Sequence, residues 1–292
     1  MWVVGGALAW LLVGTVLALV IGRAVRVADE HAAGAQRLSP DRPAGPSART
    51  PARAPRRRVP LPPVGVGLAT VAVALEALGY GVRLSGATGQ TARLLSMDAP
   101  WSIPRLFVAA LFAVAALAAL AGAGRIPGRR TWWTAVGLIA AIVAVVKAGS
   151  TVHADTMTWL GDRITPIGAV VVSAALAVAT LAVLALLSRA ERRDRRRVLS
   201  TLALYAGAAV GLSGVSSAAA ALAGGDSRWT AAATFVEESG EALTGVAVLV
   251  AVLIGVAPRL VLPAGWVLRR TADPYTLDLP AQLPGRLPDT LT

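Results

Sequence analysis

Seven runs of about 18 or more apolar residues dominate the chain, and no other feature restricts its fold as strongly. A helix needs about that length to cross roughly 30 Å of hydrocarbon at about 1.5 Å per residue. The runs cover residues 2–22, about 62–80, 105–123, 132–149, 166–188, 199–224 and 231–257. Mean hydropathy is +0.64. Only 15% of the residues are charged, against about 25% in a typical soluble domain. These features predict an all-α, polytopic integral membrane protein with seven transmembrane helices. The 2–22 run has no positive charge before it, and Arg23 and Arg26 follow it. That is the pattern of a retained first helix rather than a cleaved signal peptide.

The basic residues sort by loop. Twenty-two of the 28 lie in residues 23–61, 124–131, 189–198 and the tail after 258. The alternate loops hold only Arg83, Arg93, Arg105, Arg163 and Arg228, and Lys147 lies inside a span. Positive loops stay in the cytoplasm, so seven spans with the N-terminus outside and the C-terminus inside put every Arg-rich segment on one side. The net charge of +12 then reflects contact with anionic lipid headgroups on the cytoplasmic face, and nucleic acid is not an expected partner. Trp101, Trp159 and Trp229 at one level, and Trp132 with Trp133 at the other, sit where interfacial anchors are expected. Abundant Ala, Arg, Gly and Pro beside a single lysine point to a GC-rich bacterial genome, hence to a bacterial plasma membrane.

Four segments follow: helix 1 in 1–22, a basic cytoplasmic loop over 23–61, the six-helix remainder over 62–258, and a Pro-rich cytoplasmic tail over 259–292. The loop is rich in Ala, Arg, Pro and Ser without apolar periodicity, the composition of a disordered linker. Cysteine is absent and there are two histidines, His31 and His153. Thiolate metal sites, disulfides, three-histidine zinc sites and paired haem ligands are therefore excluded, and no cofactor or metal is expected. No phosphate-binding glycine loop, GxSxG elbow or HExxH motif is present. Microbial rhodopsins also have seven helices, but they carry retinal on a lysine of the last helix; here the last run has no lysine.

Ionisable groups at membrane depth cost about 2.5–3.5 kcal/mol each, which makes them functional candidates by default. Five stand out. Glu237, Glu238 and Glu241 share an arc of about 100° on the seventh helix, together with Thr234, Thr244 and Gly245, the last small enough to admit a neighbouring helix. Glu76 lies 13 residues beyond Pro63, about 20 Å along the second helix, and is expected to be a buried partner of Lys147 or Arg105. Lys147 is two residues from the end of its span, from where it can pair inward or snorkel to the interface. Likewise the triplet either faces a cavity or, if its helix ends early, sits at the interface. Ser213, Ser216 and Ser217 on the sixth helix and His153 in the loop after the fourth fall at the same level. Gly207, Gly211 and Gly214 read as a close-packing face that makes the sixth helix central.

Five charges at one depth are what an outward-facing polar cavity would produce. The expected function is binding or movement of a cation, a proton or a small basic solute, as a transporter or sensor. In that reading Glu237, Glu238, Glu241 and Glu76 hold the positive species and Lys147 is a counter-charge. A second class is a structural or accessory subunit of a membrane complex, with the charges as an intramembrane ionic lock or as contacts to a partner membrane protein. A third, an outer-leaflet enzyme using His153, lacks a visible nucleophile; the chain reads as leaning away from catalysis.

Overall fold

A computed structural model describes residues 62–126, 128–150, 155–156, 159, 163, 165–188 and 194–262. The first expected span, the basic loop over 23–61, His31, His153 and the tail from 263 lie outside the described residues. Among the described residues there is no strand, and six helices are long and apolar enough to cross a membrane. These are α1 (Pro63–Leu84), α3 (Ile103–Arg125), α4 (Arg130–Ala148), α5 (Pro166–Leu187), α6 (Arg195–Ala223) and α7 (Arg228–Val256). A five-residue helix, α2 (Gln90–Leu94), lies between α1 and α3. The six long helices match the second to seventh expected spans, with α1 and α6 each about a turn longer than the apolar runs alone indicate.

Their boundaries follow from local chemistry. Proline opens α1, α3 and α5, where its missing N–H falls among donors that have no intrahelical partner. Thr165 and Ser227 cap α5 and α7 by accepting the backbone N–H groups of Gly168 and Thr230. Gly149, at φ +124°, ends α4 in a conformation that a side chain would resist. Short connections at 126–129 and 224–227 make α3 antiparallel to α4 and α6 antiparallel to α7. The end at which α1 and α4 finish and α3 and α7 begin is called upper below.

Helices α3 and α7 form the centre, with α1, α4 and α6 packed around them. The centre is built from small residues facing large ones. The Gly245 Cα faces Phe112, so that a methyl there would lie 3.2 Å from the ring. Gly255 accepts the ring of Trp133, and Gly122 accepts Val256, each so closely that a Cβ would overlap. Trp132 and Trp133 are therefore buried in the core against α7 rather than anchoring an interface as their position at a helix end predicts. Trp101, Trp159 and Trp229 are exposed, as anchors are. The expectation of a central sixth helix is also corrected. Added methyls at Gly207, Gly211 and Gly214 would meet nothing within 4 Å, and residues Gly207–Leu212 are wound as a π-helix. Helix α6 touches α7 instead through Gly240, whose Cβ would meet Leu212 and Ala208. After α7, Pro258–Leu260 forms a 3-10 turn that buries Val261 and Leu262 against Ile254, so the tail begins packed.

Candidate functional site

The site grows from the buried face of α7. Glu238 and Glu241 are three residues apart and so share one face; Glu237 stands 100° around the helix from Glu238. Lys147, on the last turn of α4, points at that face. Its Nζ lies 3.0 Å from Glu238 Oε2 and 2.6 Å from Glu241 Oε2. Lys147, Glu238 and Glu241 are 6%, 5% and 4% exposed, so the snorkelling alternative is not realised. Helix α4 stops early enough for its last turn to meet α7 about 15 Å below the start of that helix.

A second support reaches Glu241 from the other side. Gly245, one turn further along, lets Phe112 close on α7. Phe112 packs edge-on against Tyr205 of α6, with centroids 4.6 Å apart and planes at 61°. That contact sets the Tyr205 ring so that its hydroxyl donates to Glu241 Oε2 at 3.2 Å. Glu241 thus receives a lysine and a phenol on the same oxygen. Sequence reasoning missed Tyr205; an aromatic residue with a polar tip among the apolar residues of a span was the available signal.

Glu237 separates from its two neighbours. It is half-buried and accepts a short hydrogen bond from Ser216 of α6. The triplet is therefore two elements, a lysine-bound pair and a serine-bound single, because a helix turns 100° between adjacent residues. Each part of α6 sends one hydroxyl to α7, Tyr205 before the π-helical stretch and Ser216 after it. Ser213 takes part only through its carbonyl, which accepts from Ser216. Ser217 is exposed and outside the cluster. Thr234 and Thr244 turn their hydroxyls to carbonyls of their own helix.

Glu76 completes the cluster. It is 1% exposed, and it lies within electrostatic reach of Glu238, Lys147, Glu241 and Arg105. Yet its Oε2 has no hydrogen-bond partner among the described residues. Burial was expected; direct pairing with Lys147 or Arg105 was also expected and is not what the side chains do. Lys147 turns to α7, and Arg105 donates Nε to the Lys147 carbonyl at 3.3 Å and a terminal N–H to the Asp98 carbonyl at 3.2 Å. Arg105 thereby acts on the C-terminal end of α4, where a cation also complements the helix dipole.

Above the cluster runs a second polar layer. Arg83 of α1 pairs with Asp98 at 3.2 Å and donates to the Gly225 carbonyl at 3.2 Å and to Thr234 Oγ1 at 3.5 Å. Ser96 donates to the other Asp98 oxygen at 2.8 Å. At the lower end Asp194, fully buried, joins Arg129 at 3.5 Å and Arg197 at 3.2 Å. The sequence placed Asp194 among cytoplasmic loop charges and gave no signal of this burial.

Chemically, the cluster holds three buried carboxyl groups against one buried ammonium, with the half-buried Arg105 guanidinium committed to carbonyls. Such a set does not stay fully ionised in an apolar surround without another positive charge. Among the described residues no group of His, Asp and Glu is disposed to hold a metal ion. No protein-family model matches the chain, and no curated protein and no solved structure is significantly similar to it.

Proposed function

We propose that this multi-pass membrane protein takes up a proton or a small cation at the buried acid cluster, as a transporter or sensor, with Glu76 as the exchanging group. The observation that carries this reading is Glu76 Oε2, buried without a hydrogen-bond partner among the described residues beside two carboxylates that already share Lys147. Lys147, Glu238, Glu241 and Tyr205 form a fixed frame, and Glu76 holds the group whose charge must change. We further propose seven spans with the N-terminus outside, in a bacterial plasma membrane. Arg125, Arg129, Arg130 and Arg195–Arg197 all lie at the lower end, which the positive-inside rule assigns to the cytoplasm. The acid cluster then belongs to the outer half of the membrane, and anionic headgroups meet the arginine end.

Infrared spectroscopy of the purified protein tests the reading. The expected result is a protonated-carboxyl absorption at neutral pH in the unaltered protein that is lost in E76Q. Identical spectra from the two proteins would overturn it.

One observation favours the other class of function. Lys147 is sealed between two acceptors, which is how an intramembrane lock within a structural or accessory subunit would be built. A lock is replaceable by well-packed apolar residues of similar volume without loss of stability. The triple variant K147M/E238L/E241L would then fold and keep its partner, whereas an ion-binding frame would lose its ion.

A further inference from the structure

The connection between α1 and α3 packs on α1 at Gly79, one turn above Glu76. Along α1 the buried stripe runs Ala72, Glu76, Gly79, with Arg83 one turn beyond. Residues three or four apart on a helix lie one above the other, so a residue seated on Gly79 stands above Glu76 on the upper side. Met97 does so. A Cβ on Gly79 would lie 2.6 Å from the Leu95 carbonyl oxygen and 2.8 Å from Met97 Cγ. The absent side chain is thus the seat for this part of the connection. Met97 is 1% exposed, although the residues around it are at the surface.

Besides the Arg105 bond to the Asp98 carbonyl, two further points hold the connection down. Arg83 pairs with Asp98 immediately after Met97 and also grips the α6–α7 connection at the Gly225 carbonyl. At the far side Trp101, at φ +63°, sets its backbone against Gly149 at the end of α4. A non-glycine residue in this region of φ is held by its surroundings and not by its own preference. The covering residue is a flexible, unbranched thioether. The latch is a partly exposed ion pair, with side chains 31% and 50% exposed, a class worth about 1 kcal/mol or less. The plug is well buried, and the side-chain latch on Asp98 is weak.

We propose that residues 95–102 form a lid over Glu76: Met97 is the plug, and the Arg83–Asp98 pair is the latch whose opening admits water and exchanges the proton on Glu76. This rests on the reading of Glu76 given above and narrows its ligand to the proton. A water-borne proton needs only a displaced methionine to reach Glu76 and bind there, whereas an organic cation held by the acid pair would also have to displace Lys147 from Glu238 and Glu241.

The chain has no cysteine, so single-cysteine variants report access directly. The full-length protein is reconstituted in vesicles and E76C is treated with a small cationic methanethiosulfonate. The expected result is slow modification of E76C, at least about tenfold faster when M97A or D98N is added, while V248C in the buried core stays unmodified in the D98N background. Because E76C removes the charge itself, M97C is measured as well, and D98N accelerates its modification to a similar degree. Fast modification of E76C with Met97 in place overturns the lid, as do rates that ignore both M97A and D98N. If modification responds as expected but E76Q leaves the carboxyl absorption unchanged, the lid stands and the protonation reading falls. If the absorption is lost in E76Q and the rates do not respond, the reverse holds.

Discussion

Removing Lys147 is the sharpest perturbation of this bundle. The K147M variant keeps the volume and the flexible stem but deletes the charge between Glu238 and Glu241. At 3.0 and 2.6 Å, and with an effective dielectric constant near 20, each attraction amounts to about 6 kcal/mol. Desolvation of the three ions offsets much of this, several kcal/mol for each. Breaking a buried pair by deleting one partner nonetheless costs about 3–5 kcal/mol, because the charge left behind keeps its desolvation penalty and loses its compensation. Here two carboxylates are left, on one face of one helix, so the upper part of that range applies. For a folded unit of this size about 1 kcal/mol corresponds to a shift of about 2–4 °C in melting temperature. The K147M protein is therefore expected to melt about 10–15 °C below the unaltered protein in the same detergent. The combination K147M/E238Q/E241Q should recover at least half of that loss, because it removes the uncompensated charge. A K147M protein melting within a degree of the original would refute the argument. So would a triple variant no more stable than K147M.

Four smaller tests follow from the packing. Y205F keeps the ring against Phe112 and loses the hydroxyl that donates to Glu241; the expected loss is about 1 kcal/mol, the scale of single side-chain bonds within membranes, read as a lower melting temperature. G245V drives a branched side chain toward Phe112, where the first carbon alone would stand at 3.2 Å, and overpacking of this kind costs about 1–3 kcal/mol. D194N weakens the junction of Asp194 with Arg129 and Arg197; thermal melting should reveal a loss of about 1.5–3 kcal/mol, the range for hydrogen bonds to charged groups. G214A adds a methyl where nothing stands within 4 Å and should leave stability equal or raise it by about 0.5–1 kcal/mol. A clear fall in melting temperature for G214A would mean that another surface packs on that face.

What was legible in the sequence was whatever depends on one helix at a time. Span positions follow from run length, and the burial of Glu76 follows from its distance to the ends of its own run. A common level for Lys147 and the acids of the seventh helix was also accessible, since loop charges pointed to alternating directions, but whether those helices touch was not. What depends on rotation about a helix axis was not legible. Glu237 parts from Glu238 because neighbours differ by 100°, and only the placement of α6 decides that a serine meets one and a lysine the other. Trp132 and Trp133 occupy a helix end, so their level suggested an interface. The burial of Trp133 is decided by Gly255 on a helix more than a hundred residues away. The glycines of α6 misled for the same reason: small residues permit close approach, but the approach takes place at Gly240 on the partner helix.

The composition of the cluster itself separates the two classes of function. A structural lock needs one acid and one base, and Lys147 with Glu238 would supply both. Glu241 adds a second acid, tied down by Tyr205 at the further expense of a buried hydroxyl. Glu76 adds a third with an oxygen left unbonded. The last addition works against stability, since an unpaired buried polar group costs about 1–3 kcal/mol and a charged one more. Packing needs none of this, because a leucine at position 76 would fill the space at no such cost. A carboxyl group whose only physical distinction is that it can gain and lose a proton is a poor fastener and a good switch. Its position one turn below the Met97 seat at Gly79 and beneath a partly exposed ion pair is where the proposed lid would give a proton a short route to water. These features together favour the proton-binding reading over the lock.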